Sequence, residues 1–130
     1  MIRRLAVFIG LLFLFSSIAF AVDPNETPEQ ADARRARWDK GPRTIDVSNY
    51  PAELQEAYKL FLVKCSKCHN IARPINAEFS VEEWERYVKR MIRKPGSDIS
   101  MGEGKKIFEV LKYYAEQKQK AKSAKDVSEK

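Results

Sequence analysis

Both cysteines and the only histidine of this 130-residue chain fall within five consecutive positions, Cys65-Ser66-Lys67-Cys68-His69. Two thiols separated by two residues, with an imidazole directly after the second, form the c-type haem attachment pattern. The chemistry explains the spacing. Each thiol adds to one vinyl group of a porphyrin and forms a thioether. A two-residue spacer lets one helical turn reach both vinyls, and His69 then lies beneath the ring, where it can bind iron from the proximal side. A thioredoxin-type dithiol needs a strand–helix–strand setting, and no such pattern surrounds this one. A zinc site needs further Cys or His ligands, and there are none. A plain disulfide stays open, but it leaves the adjacent histidine unexplained.

With one histidine, bis-His ligation within one chain is excluded. The remaining strong candidate for a sixth iron ligand is a thioether, from Met91 or Met101. Met91 shares a helical stripe with Trp84 and Val88 and lies 22 residues beyond His69, enough chain to reach the opposite face of a ring. Met101 falls in the first turn of a later helix beside Gly102, where a side chain is often exposed. Met91 is therefore the expected distal ligand and Met101 the alternative. A methionine filling a gap in the core is the competing role for Met91. A Met/His pair raises the potential of haem iron, because a soft sulfur ligand favours the reduced metal.

The N-terminus points to export. Arg3 and Arg4 precede an apolar run from Leu5 to Phe15, broken only by Gly10, and Ala19-Phe20-Ala21 forms an A-x-A cleavage pattern. This predicts a signal peptide over residues 1–21 and a periplasmic address. An uncleaved membrane anchor is the competing reading of the same stretch. Export and haem attachment agree, since covalent haem is assembled outside the bacterial cytoplasmic membrane. Cleavage would remove two of the 24 basic side chains and none of the 18 acidic ones, taking the net charge from +6 to +4. That excess favours acidic partner surfaces. Nucleic acid is not an expected partner outside the cytoplasm.

The elements that must hold the motif are helical. Residues 22–49 are polar and punctuated by Pro24, Pro28 and Pro42, and predict a mobile arm or linker, with Arg34, Arg35, Arg37 and Trp38 as a basic docking stretch or a solvated one anchored by the indole. Pro51 opens a helix whose apolar face is Leu54, Ala57, Tyr58, Phe61 and Leu62, and which runs into Cys65. Asn70 to Ser80 reads as a loop, because Arg73-Pro74 cannot comfortably continue a helix. A carbonyl of that loop, Pro74 among the candidates, is the expected acceptor for the free ring N–H of His69. Arg73 either pairs with a haem propionate or faces water. Ser80 with Glu83 is a capping box for a helix carrying Val81, Trp84, Val88 and Met91, with Tyr87 and Ile92 alongside. Ser100 with Glu103 is a second box, for a helix with Ile107, Val110, Leu111 and Tyr114 on one face. Residues 118–130 predict a charged, flexible tail.

The helix ending in CSKCH, the apolar-faced helix ending in Met91 and the closing amphipathic helix resemble a class I c-type cytochrome over about residues 47–116. CSKCHNIARPIN followed by WERYVKRMIRKPGSDIS is similar to the small monohaem group related to the reaction-centre cytochrome c-551 of green sulfur bacteria. The resemblance implies an all-α cytochrome c fold over residues 50–117, with three main helices packed around one haem c attached through Cys65 and Cys68. It implies His69 as proximal ligand and Met91 as distal ligand. It also implies a periplasmic one-electron carrier, not an enzyme, that exchanges electrons with redox proteins or a membrane-bound electron-transfer complex. In the commonest class I layout the methionine lies in a loop just before the last helix, which keeps Met101 in consideration. A haem-bearing subunit of a larger oxidoreductase, with Trp38 and the basic stretch as its docking surface, is one alternative. A haem sensor or peroxidase-like protein with an open sixth position is the other.

Overall fold

A computed structural model describes residues 25–128; the expected signal peptide, residues 1–21, lies outside the described residues. The described chain is all-α, with helices α1 (Pro28–Asp39), α2 (Ala52–Cys65), α3 (Ala72–Asn76), α4 (Val81–Arg93) and α5 (Met101–Ser128) and no strand among the described residues. No helix among them is long and apolar enough to cross a membrane.

Helices α2 and α4 both pack on α5. The core joins Ala57, Tyr58 and Phe61 of α2, Trp84 and Val88 of α4, and Ile107, Val110 and Leu111 of α5, with Ile75 and Ala77 closing one end. These positions recur at helical spacing, so each helix turns one apolar stripe inward and leaves its charges in water. The α4–α5 crossing is close at Gly104. A Cβ there would sit 2.3 Å from Ile92 Cδ1, so only a hydrogen fits without moving the Ile92 side chain. The connection between them is tight. Ser97 N–H donates to the Lys94 carbonyl at 3.1 Å across Pro95-Gly96, and Gly96 takes φ 77°, the left-handed conformation that glycine adopts at no steric cost.

Three expectations are corrected. The residues 22–49 arm contains an ordered helix, α1. Thr27 and Gln30 close a capping box, Pro28 occupies the first turn, and Glu29 suits the positive helix start. α1 buries no residue fully, so the apolar periodicity that marks the other helices is missing from it. The Asn70–Ser80 stretch contains the short helix α3. Pro74 is its third residue, still within the first turn, where the missing N–H would have no intrahelical acceptor anyway. The residues 118–130 tail is helical to Ser128. Its Lys, Gln and Ala residues are strong helix formers and need no packing partner to extend α5.

The segment between α1 and α2 also serves the core. Ile45 and Val47 pack against it, and the Ile45 N–H donates to the Tyr58 hydroxyl at 2.7 Å. α2 begins at Ala52, with Pro51 at the capping position; the Pro51 carbonyl accepts from the N–H groups of Leu54 and Gln55.

Candidate functional site

Cys65 is the last residue of α2, and Ser66 to His69 turn away from it toward α3. Both cysteines are free thiols. The dithiol therefore sits at the negative end of a helix dipole, which disfavours a thiolate. Burial pushes the Cys65 thiol up to about 12, with the neighbouring Cys68 acting in the same direction. A redox dithiol needs the opposite: a helix N-terminus, nearby cations and a lowered thiol pKa. Among the described residues no three His, Cys, Asp or Glu side chains converge as a metal-chelating group.

Three sets of contacts hold the segment. Toward the α4–α5 turn, Lys67 donates to the Asp98 carboxylate at 3.0 Å. Lys64, one turn earlier, donates to the Asp98 carbonyl at 2.6 Å and pairs with Glu103 at 2.9 Å. Asp98 takes φ 51°, a strained conformation for a non-glycine residue, and its carbonyl and its carboxylate Oδ2 are held by the two lysines. Toward α1, Asn70 donates to the Asp39 carbonyl at 3.1 Å, and Arg73 donates from Nε to the Asp39 carboxylate at 3.0 Å, with a second bond from Nη2. Arg73 thus answers Asp39 of the same chain, where the sequence left a propionate and water as its options. Asn76 shares its amide among the carbonyls of Trp38, Pro42 and Ala72, and Gly41 lies so close that a Cβ there would strike the Asn76 side chain.

The third set involves His69. Its Nδ1 lies 3.4 Å from the Asn70 carbonyl and its Nε2 lies 3.2 Å from the Tyr87 hydroxyl of α4. A loop carbonyl is the Nδ1 partner, as expected, but it is Asn70's; the Pro74 carbonyl accepts from the Ala77 N–H instead. A proton on Nδ1 would satisfy the Asn70 carbonyl and leave the Nε2 lone pair facing α4, the tautomer a metal ligand needs. Burial lowers the His69 pKa, and the Arg73 and Lys94 cations lower it further, against the Asn70 carbonyl and Asp39. The ring is therefore neutral at neutral pH. Burial pushes the Tyr87 phenol up to about 12, so it faces the imidazole as a neutral hydroxyl.

α4 presents a stripe to this imidazole. Tyr87 reaches His69, and the Lys94 charge acts on it from the end of the same helix. Met91 lies between them at positions i, i+4 and i+7, on the same face, and is half-buried. Met101 is 74 % exposed at the start of α5. The structure thus brings Cys65, Cys68, His69 and the Met91 face of α4 together and leaves Met101 in water. Tyr87 is the residue whose role sequence reasoning missed. The available signal was its four-residue spacing from Met91; its contact with His69 spans two elements and has no local signature.

The donor chemistry fits a porphyrin held by both thiols with iron at Nε2. The phenol of Tyr87 occupies that lone pair, and the cavity beside the ring is about 160 Å³, below the ~300–1,000 Å³ typical of ligand pockets. Binding a plate between His69 and α4 therefore requires Tyr87 to yield. A larger cavity, about 560 Å³, lies away from the motif, between Ser80–Glu83 and the Tyr114–Lys122 stretch of α5.

The ion cluster predicts a pH dependence. The Ser100 N–H and the Lys64 ammonium push the Glu103 carboxyl down to about 2. Its folded value lies below its unfolded one, so its contribution is complete above about pH 4.5 and is lost as pH falls toward 2. Glu103→Gln should flatten that acid limb in unfolding experiments at stepped pH and change little in its shape near neutrality. An unchanged limb would remove Glu103 from the account. Comparison of the chain with protein-family models, with curated proteins and with solved structures found no match.

Proposed function

We propose that this chain is a small c-type cytochrome, resembling class I, that carries one electron between redox partners outside the cytoplasm. The observation that carries the reading is the placement of His69: Nδ1 beside the Asn70 carbonyl and Nε2 toward the Tyr87 face of α4, on which Met91 lies one turn further, directly after two free thiols at attachment spacing. Cys65 and Cys68 would hold the porphyrin, His69 would ligate iron and Met91 would supply a thioether ligand. A haem iron bound there supplies a one-electron couple whose potential is raised by thioether ligation.

The chain's own work is positional. Asn70 orients the imidazole through Nδ1, which keeps Nε2 available. Lys67 and Lys64 fix the motif against the α4–α5 turn, and Arg73 fixes the following residues against α1. The basic excess of the chain favours acidic partners.

A second reading has one observation in its favour. The group at His69 Nε2 is the Tyr87 hydroxyl and not a sulfur; a sensor with an open sixth position would have such a distal pocket. Carbon monoxide separates the two. The carrier reading predicts reversible one-electron titration and slow, incomplete carbon monoxide binding by the reduced mature protein. Rapid stoichiometric binding with a high-spin spectrum would favour the sensor.

A further inference from the structure

Beside His69, α1, α3 and α4 enclose the cavity of about 160 Å³. Its charge is one-sided. Arg34, Arg35, Arg73 and Arg90 line it, and no carboxylate does. The larger cavity, by contrast, mixes Glu78, Glu82 and Glu83 with Arg86, Lys118 and Lys122. Three of the four guanidiniums are held from outside the cavity: Arg34 by Glu26, Arg35 by Asp32 and Arg73 by Asp39. Arg34 and Arg73 use Nε and Nη2 for those bonds. A guanidinium carries five N–H donors in a fixed plane, so each keeps Nη1 for another acceptor while its carboxylate fixes its orientation. Arg90 has no carboxylate partner among the described residues and rests over the Tyr87 ring, 5.3 Å from its centroid.

The walls strengthen any ion pair formed here. Trp38 and Phe79 meet edge to face at 5.5 Å along one side. An apolar wall lowers the local dielectric and makes a charge pair stronger than in open water. The space suits one small planar anion, and planar anions with two oxygens match guanidinium donors in pairs.

We propose that this cavity is a carboxylate-binding site whose donors are Arg34 and Arg35 of α1, Arg73 of α3 and Arg90 of α4. The carboxylate has two sources of the same chemistry: a free small carboxylate, or the acid side chains of a porphyrin attached at Cys65 and Cys68. The second source rests on the proposed function; the first does not. Either way α1 becomes a functional wall of the site.

The test is nuclear magnetic resonance of the arginine Nε–H signals in the reduced, mature protein, with acetate as the free probe and attached porphyrin mass read on the same sample. Arg90 is the reporter, because no carboxylate among the described residues forms an ion pair with it. Saturable shifts of Arg90 on acetate addition, lost in Arg34→Gln, establish a free-carboxylate site. The other supporting outcome is silence toward acetate with porphyrin attached and Arg90 exchanging with water roughly tenfold more slowly than Arg93, the scale of one charge-assisted hydrogen bond. That protection must fall in Arg34→Gln and stay in an Arg93→Gln control, and it assigns the site to the porphyrin's own carboxylates. Acetate silence with Arg90 exchanging as fast as Arg93 overturns the proposal. So does slow Arg90 exchange that is silent to acetate in a sample without porphyrin mass. Arg90→Gln, on an exposed face of α4, should abolish the acetate response without changing the thermal transition and covers the case in which Arg34→Gln does not fold.

Discussion

Replacing Met91 by Ala is expected to convert the mature, porphyrin-bearing protein from low spin to high spin and to lower its reduction potential, while Met101→Ala leaves both unchanged. The argument is positional. Met91 sits between Tyr87 and Lys94 on the face of α4 that acts on His69, and Met101 is 74 % exposed at the start of α5. Loss of the thioether removes the ligand that favours reduced iron, so the oxidised form gains. The spin state is read from the absorption spectrum and the potential from a redox titration. If Met101→Ala alone changes the spin state, the assignment of Met91 is wrong. If neither does, the distal group is something else, and Tyr87→Phe becomes the next variant to measure.

The second large effect concerns the core. Trp84 is 1 % exposed and meets Phe79 at 4.9 Å and Tyr87 at 5.6 Å, both edge to face. Phe79 in turn meets Trp38 of α1. One indole therefore supports α4, the Tyr87 wall of the site and, through Phe79, the seat of α1. Trp84→Ala should cost about 3–5 kcal/mol of stability from lost burial and the cavity left behind. Domains of ordinary stability have only ~5–15 kcal/mol in all. The variant is therefore expected near the edge of folding, with a large fall in its denaturation midpoint. A loss under about 1 kcal/mol would mean that the site collapses easily and that Trp84 is not the support described here.

What the sequence revealed depended on how local the cause was. The stripes of α2, α4 and α5 and the two Ser–Glu capping boxes arise within one or two turns, and each was readable. The corresponding box of α1, Thr27 with Gln30, was equally local, but α1 has no apolar period to draw attention to it. Its stability comes from caps, Trp38 and the Asp39–Arg73 pair, which spans 34 positions. α3 was obscured by Pro74, which breaks a helix interior but is tolerated in a first turn. The charged end of α5 was misjudged because solvation was read as disorder, although its residues favour helix. At the site, the attachment spacing and the two thioether candidates were legible as residue types. The hydroxyl of Tyr87 at Nε2, the Lys67–Asp98 bond and the arginine-lined cavity were not, because each joins segments that only the fold brings together.

These contacts also rank the motif's own residues. Cys65 is half-buried at a helix C-terminus and Cys68 is exposed. An oxidised pair would use both thiols and leave His69 without a role. Thioether formation uses both and gives the imidazole one. Intact mass of the natively produced mature protein under denaturing conditions distinguishes these chemistries, measured beside the Cys65→Ser, Cys68→Ser double variant. The expected result is polypeptide plus one porphyrin in the wild type and polypeptide alone in the variant. A wild-type mass equal to the bare polypeptide, or lower by the two hydrogens of a disulfide, would contradict the account.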